Sequence, residues 1–200
     1  MVAVFFDFEK AYDTTWKHGI LSDLHDVNLR ESLPIFISNF LKKRHFKVRL
    51  GSALSDLYDQ ETGVSQGCIL SVTFFSLIVI KIVYTLNKYI NCSLYVDDFL
   101  ICYRSRRMHN IERQLHMSLN RIQNCTDENG FKFSKSTTVR TQLCQQRKHH
   151  PEPLLDLNNE PNQIVKETKF IGIIFDSKLT FLLHIKYLKV KCLKALNLPH

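Results

Sequence analysis

No two of the six cysteines form a C-x-x-C pair. Cys68, Cys92, Cys102, Cys125, Cys144 and Cys192 lie mostly inside apolar runs and read as reduced, small core residues of an intracellular protein. Cys144 with His149 and His150 makes at most half a zinc site, because no second ligand pair has matching spacing. No basic segment precedes the first apolar stretch, so no signal peptide is read. The longest apolar run, Ile69 to Ile80, is too short to span a bilayer and fits a core element, so no membrane partner is expected. There is no internal repeat and no low-complexity tract.

What is present is an ordinary globular composition. The chain has 200 residues, 44% hydrophobic and 23% charged, enough for one domain with a core. Lys plus Arg number 27 against 19 Asp plus Glu, a formal charge of +8. That balance favours a polyanionic partner, most simply nucleic acid. The basic clusters "KKRHFKVR", "RSRR" and "RKHH" fit equally well as solvated faces.

"MVAVFFDF" predicts a strand apolar on both faces, hence central in a sheet. A central strand at residue 1 leads us to expect further sequence upstream. Helices are predicted over Trp16 to Asn28 and Ser32 to Lys43, with Ser32 as N-cap and Pro34 in the first turn. The alternating stretch with "GS" predicts a hairpin over 45–50 and 53–61. Ile69 to Tyr89 predicts a buried helix, its length outweighing its Val and Ile content. Leu94 to Tyr103 predicts a hairpin turning at Asp97–Asp98. His109 to Asn129 predicts an amphipathic helix with Ile111, Leu115, Leu119 and Ile122 inward, ended by Gly130. Residues 145–162 read as a polar loop, and "TKFIGIIFD" as a strand with glycine at its middle. From Leu179 a last helix is expected, with Leu182, Ile185, Leu188 and Cys192 on one face and Lys186, Lys189 and Lys194 elsewhere on it. The order implies an α+β fold, an antiparallel sheet with helices packed on one face.

Asp97 and Asp98 stand between two apolar runs, and Asp7 ends a third. An Asp pair suits a hairpin turn, since Asp tolerates the left-handed region. The third acid adds a second reading. If the first strand pairs with the hairpin, the three carboxylates converge. At about 4 Å and an effective dielectric near 20, each like-charged pair costs roughly 4 kcal/mol. Protons or divalent cations must offset that. Carboxylates suit Mg²⁺, which keeps water and takes phosphate oxygens. Two such ions can clamp the attacking and leaving oxygens of an in-line phosphoryl displacement.

"GVSQGCILS" places Gln66 and Gly67 in a glycine loop before a helix, where backbone can approach a phosphate or base. The same spacing is common in loops without a ligand. Tyr12 follows Asp7 closely and reads either as packing or as a ring set against a nucleotide sugar.

The stretches "FFDFEKAYDTTWKHGIL", "GVSQGCILSVTFFSL", "LYVDDFLI", "GFKFSKSTT" and "TKFIGIIFDSKLTFLLHIKYL" occur in this order. Together they resemble the successive palm motifs of reverse transcriptases from non-LTR (LINE- or jockey-like) retrotransposons. The resemblance covers nearly the whole chain. It implies a palm over 1–176 and the start of a helical thumb over 177–200. It also implies an RNA template, a DNA primer and deoxynucleoside triphosphates as partners, and two Mg²⁺ (or Mn²⁺) as cofactors. Asp7 and Asp97 would be the principal metal ligands and Asp98 the second acid of the box. The carbonyl of Phe8 would assist. Tyr12 would bar a 2′-hydroxyl, and Gln66 and Gly67 would touch the incoming nucleotide and template. Lys135 would sit near the leaving pyrophosphate. Phe170, Ile171 and Gly172 would belong to a hairpin, Phe170 to Phe175, that grips the primer end.

Three features depart from that family's pattern. The fingers, which in the family precede the first palm strand, are expected to be absent from this chain. Ser65 stands where the family usually has proline before Gln66. The thumb stops at His200, without an endonuclease or zinc module, so a fragment or a decayed copy is expected. Two other readings are a non-catalytic nucleic-acid-binding remnant of the same element and a different metal-dependent phosphotransferase with a cyclase-like palm. Gln66 in its loop and the primer-grip-like hairpin count against the last.

Overall fold

A computed structural model describes residues 1–26, 32–145, 151–157 and 160–196. His149 and His150, weighed above with Cys144, lie outside the described residues, as do residues 27 and 28 of the first expected helix. In chain order the elements are β1 (Val2–Phe6), α1 (Lys17–Asp26), α2 (Ser32–Leu41), β2 (His45–Phe46), β3 (Arg49–Leu50), β4 (Ala53–Leu54), β5 (Tyr58–Asp59) and α3 (Ile69–Thr85). They continue with β6 (Asn91–Tyr95), β7 (Asp98–Tyr103), α4 (Met108–Glu128), β8 (Val139–Gln142), β9 (Asp156–Leu157), β10 (Glu160–Pro161), β11 (Gln163–Ile164), β12 (Glu167–Phe170), β13 (Ile173–Asp176) and α5 (Leu182–Leu196). They gather into two compact units. Met1–Phe8, Thr85–Gln123 and Phe133–His200 make the first, and Glu9–Tyr84 with Asn124–Lys132 the second.

The first unit holds a five-stranded sheet in the order β11-β8-β1-β7-β6. Every residue of β1 is buried, so the run apolar on both faces is central, as its pattern predicts. β1 pairs antiparallel with β7 and β8, but β11 runs parallel to β8, so the sheet is not wholly antiparallel. The side chains of β1 alternate between two faces. Phe6 packs on Phe99 at 5.0 Å and on Phe133 at 4.7 Å between ring centroids. On the other face Ala3 and Phe5 meet Leu143 and Phe170, with Phe175 and Leu179 against them. Full burial of a Phe or Leu side chain such as Phe5, Phe6 or Leu143 stabilises by about 1.5–3 kcal/mol. In α4, Ile111, Leu115, Leu119 and Ile122 are all buried, the face the periodicity assigns.

"TKFIGIIFD" is two strands rather than one. β12 and β13 pair antiparallel around Ile171 and Gly172, both at positive φ (47° and 77°). Two central residues of that kind make a type I′ turn, which matches strand twist. The expected loop over 145–162 contains the short strands β9 and β10. The last helix begins at Leu182, not Leu179. Leu179 and Phe181 sit at φ 54° and 58°, so helix cannot run through them. The face assigned to Leu182, Ile185, Leu188 and Cys192 is not buried, and no described residue of α5 is.

In the second unit α1 and α2 pack together, with Ile20, Leu24, Ile37 and Leu41 buried. Pro34 lies in the first turn of α2, as expected. α3 is a helix despite its Val and Ile content, but it ends at Thr85. Its Lys81 pairs with the buried Asp23 of α1 and bonds Asn129 Oδ1 at 3.2 Å.

Candidate active site

Asp7 follows the last residue of β1, and the register sets Phe6 opposite Phe99 of β7. Continuing by one residue carries Asp7 to Asp98. The strand and the hairpin, distant in sequence, thus bring their acids to one end of the sheet.

The hairpin turn is Val96–Asp97, because Tyr95 pairs with Asp98 and Asp98 is the first residue of β7. The acids are therefore not the turn pair. Asp97 is in the turn and Asp98 in the ladder. Only the first turn position has positive φ, and it is Val96 at 55°. A β-branched side chain there costs about 1–2 kcal/mol.

Each acid has its own surroundings. Asp7 is exposed, and Thr137 Oγ1 donates to its Oδ2 at 2.6 Å. The Asp7 backbone is also tied down: its N–H donates to Thr138 Oγ1 at 3.3 Å, and its carbonyl accepts from Ser134 N–H at 2.8 Å. Asp98 is half-buried. Burial, then the charges of Asp97 and Asp7, push its carboxyl above the usual range, against a hydrogen bond from the Ile171 N–H. The same I′ turn that closes β12–β13 therefore aims an amide at Asp98. Asp97 is exposed.

The three acids share one electrostatic field, and their oxygens are hard donors that suit a divalent cation. Among the described residues no three His, Cys, Asp or Glu side chains stand as a ready ligand group. Carboxylate oxygens of this kind suit an ion that fills its remaining positions with water, backbone or phosphate oxygen.

The second unit brings two other elements together. Val64 N–H donates to the Tyr12 carbonyl at 2.8 Å, and Gly63 N–H to the Thr15 carbonyl at 2.9 Å. A Cβ on Gly63 would lie 2.7 Å from the Asp13 carbonyl oxygen and 2.8 Å from that of Tyr12. Only glycine permits this approach, which seats the Gln66–Gly67 loop on the Tyr12 segment. The Tyr12 ring stacks on Phe75 at 5.2 Å, while Gln66 and Gly67 are exposed. Phe8 is buried and bridges Phe133. Lys135 is exposed and ion-paired with Glu160. Phe170 is buried under β1, and Ile171 and Gly172 form the exposed turn. Thr137, Thr138 and the Ile171 amide were not foreseen. The signal available for the threonines was the polar run "SKSTT" inside one of the quoted motifs.

The family profile of reverse transcriptases (RNA-dependent DNA polymerases) matches residues 1–175. The chain belongs to the reverse transcriptase family. Reverse transcriptases generally use divalent metal ions. The chain is 24% identical over 198 residues to the probable RNA-directed DNA polymerase from transposon X-element of Drosophila melanogaster, covering 94% of this chain and 21% of that protein. It is also 24% identical over 196 residues to the RNA-directed DNA polymerase from mobile element jockey of the same organism, covering 92% and 20%. The expected kinship with non-LTR elements holds. The chain spans about a fifth of the length of these curated relatives. Among solved structures it is similar to apo telomerase from Candida tropicalis truncated from its C-terminal domain. The TM-score is 0.60 at 15% identity, covering 89% of this chain and 34% of that one. Telomerase from Candida albicans, in complex with a fragment of telomeric RNA, gives 0.59 at 16%, covering 90% and 31%. These likenesses show a reverse-transcriptase palm-like fold. Among the described residues no helix is long and apolar enough to cross a membrane.

Proposed function

We propose that this chain is the palm of an RNA-directed DNA polymerase, which adds deoxynucleotides to a primer 3′-hydroxyl on an RNA template. What carries the reading is the register that sets Asp7 at the Val96–Asp97 turn and Asp98. An acidic end on a central strand of a protein with charge +8 fits a site that holds nucleic acid and cations together.

Asp7 and Asp97 would hold two Mg²⁺ or Mn²⁺ ions, with the Phe8 carbonyl assisting. When bound, the ions would supply charge neutralisation at the attacking and leaving oxygens. Asp98, drawn toward its neutral form and bonded by the Ile171 amide, links the acids to the turn of the primer-gripping hairpin. The Tyr12 ring, steadied by Phe75, excludes a 2′-hydroxyl. Gln66 and Gly67 meet the nucleotide and template. Lys135 reaches the pyrophosphate by exchanging Glu160 for a phosphate oxygen. Residues 1–176 act as palm and 177–200 open the thumb. Template, primer and nucleotides place the work inside the cell.

The test has two parts. Mn²⁺ binding, read by EPR, falls at least tenfold in Asp7→Asn and in Asp97→Asn. Unchanged binding in both sinks the metal assignment. Primer extension on poly-rA/oligo-dT with Mg²⁺ is weak for this chain alone and absent in Asp97→Asn. Complete absence in wild type, with template–primer binding and Mn²⁺ binding intact, favours the non-catalytic remnant.

A further inference from the structure

The segment that carries β9 and β10 has no task in the polymerase reading beyond the surface pair of Glu160 with Lys135. A solvated loop would be exposed, yet Leu155 and Leu157 are buried, and Asn162 is only 6% exposed. Side chains of two other elements fasten the segment. From β8, Arg140 Nη1 donates to the Leu155 carbonyl at 2.6 Å, and the same carbonyl accepts from the Asn162 N–H at 2.9 Å. From α4, Glu112 Oε1 accepts from the Leu154 N–H at 2.9 Å, and His116 Nε2 donates to the Leu154 carbonyl at 3.0 Å.

Asn162 stands one residue before β11, which runs parallel to β8 with Gln163 opposite Val139. One step back along that register brings Asn162 to Thr138. Its backbone N–H is already given to Leu155, so its side chain closes the rung. Asn162 Nδ2 donates to the Thr138 carbonyl at 3.1 Å, and the bond is buried. A carbonyl can only accept, which fixes the orientation of the amide. Its Oδ1 is then left buried, with no hydrogen-bond partner among the described residues. An orphaned buried oxygen costs free energy, so stability alone would favour an apolar residue of the same shape. What asparagine adds here is the donor.

Thr138 is where that donor acts. Residues 134–138 wrap Asp7 at three points. The Ser134 N–H bonds the Asp7 carbonyl at 2.8 Å, Thr138 Oγ1 accepts from the Asp7 N–H at 3.3 Å, and Thr137 Oγ1 donates to the Asp7 carboxylate at 2.6 Å. The Thr138 N–H closes the same turn on the Ser134 carbonyl at 2.9 Å. Through the Thr138 carbonyl, Asn162 ties this turn to the β9–β10 segment. The Lys135–Glu160 pair joins the same two segments, but it is exposed, and exposed pairs contribute little.

We propose that Asn162 is a positioning residue for Asp7: through the Thr138 carbonyl it holds the 134–138 turn where that turn aims the Asp7 carboxylate. This role rests on the reading of Asp7 as a metal ligand. It gives the β9–β10 segment a task, as the buttress of the turn.

The experiment is a Mn²⁺ titration of the full chain read by EPR, with the melting temperature recorded for every variant. Asn162→Leu keeps the volume and removes the donor. It should weaken Mn²⁺ binding about fivefold, less than the tenfold or more expected of direct partners of a metal ligand. Its melting temperature should stay within about 3 °C of wild type, because the orphaned oxygen leaves together with the bond. Asn162→Ala cannot crowd the site and should show the same loss of affinity. In an Asp7→Asn background, Asn162→Leu should weaken binding no further, because its effect runs through Asp7. Additive losses would mark a general structural role and overturn the proposal. Unchanged binding in both Asn162 variants, with Asp7→Asn still weakening it, overturns the proposal and leaves the metal reading standing. Unchanged binding in Asp7→Asn removes the metal reading, and the role of Asn162 with it.

Discussion

Two of the hairpins that turn in two residues, β6–β7 and β3–β4, are built in opposite ways. β6–β7 turns at Val96–Asp97 inside a five-stranded sheet, with Phe99 and Ile101 fully buried beside the turn. β3–β4 turns at Gly51–Ser52 in a ribbon exposed on both faces. In the first, tertiary packing decides register and overrides local preference, so a valine holds a left-handed conformation. In the second, local chemistry decides, and glycine takes the left-handed place at φ 61°. A site that must hold carboxylates at fixed positions needs the first kind of support.

Breaking the packed hairpin should give the largest effect. Phe99→Ala removes a fully buried ring stacked on Phe6 and should cost about 3–5 kcal/mol by urea denaturation. Leu50→Ala on the ribbon should change stability by less than about 0.5 kcal/mol. A similar cost at both positions would erase the contrast.

Next in size is the support of Asp7. Thr137→Val removes the 2.6 Å hydrogen bond and should weaken Mn²⁺ binding about tenfold, the low end for outer-shell partners of metal ligands. Thr137→Ser keeps the hydroxyl and should restore most of it. A serine variant as weak as valine would show that the methyl group, not the bond, matters.

These supports mark where sequence reading runs out. β1, α3 and the buried face of α4 were legible, because uninterrupted apolar runs and 3.6-residue periodicity are local signals. The convergence of Asp7 with the Asp pair followed from one correct pairing. The turn was misplaced by one residue, because its position is set by pairing with β1 and not by which residue best tolerates positive φ. The Thr137–Asp7 bond joins residues 130 apart, and the Lys135–Glu160 pair 25 apart. No local pattern encodes either. The shared face of Leu182, Ile185, Leu188 and Cys192 on α5 was legible, but periodicity reports amphipathicity, not what lies against it, and that face is not buried.

A smaller effect belongs to the junction before α5. The Asp176 carboxylate accepts from the N–H groups of Lys178, Thr180 and Phe181 at 3.0, 3.0 and 2.7 Å. Burial alone would push its carboxyl up, but these bonds and the Thr180 hydroxyl outweigh it and hold it below the usual range. The folded state therefore favours the ionised form. That stabilisation is present above the unfolded value near 3.9 and is lost as pH falls through the folded value. Asp176→Asn should cost about 1 kcal/mol near neutral pH, the size of a helix cap, with the difference from wild type closing in acid. A difference independent of pH would exclude the carboxylate as the cause.

The smallest effect is expected at Val96, and with its mirror exchange it tests the two turns directly. Val96 at φ 55° stores about 1–2 kcal/mol, and glycine relieves it while losing about 0.5–1 kcal/mol through greater freedom of the unfolded chain. Val96→Gly should therefore stabilise by about 0.5 kcal/mol. If the strained residue holds Asp97 in place, the same variant should weaken Mn²⁺ binding while the melting temperature rises. The mirror exchange, Gly51→Val, meets no atom within 4 Å, so its cost is backbone strain alone. It should destabilise by about 1–2 kcal/mol at most, and by less if the ribbon rearranges its turn. Opposite signs for the two exchanges, with metal affinity moving only at Val96, would establish that strain is retained where a carboxylate must be aimed. Equal stability changes, or metal affinity indifferent to Val96, would reduce the valine to an incidental occupant of the turn.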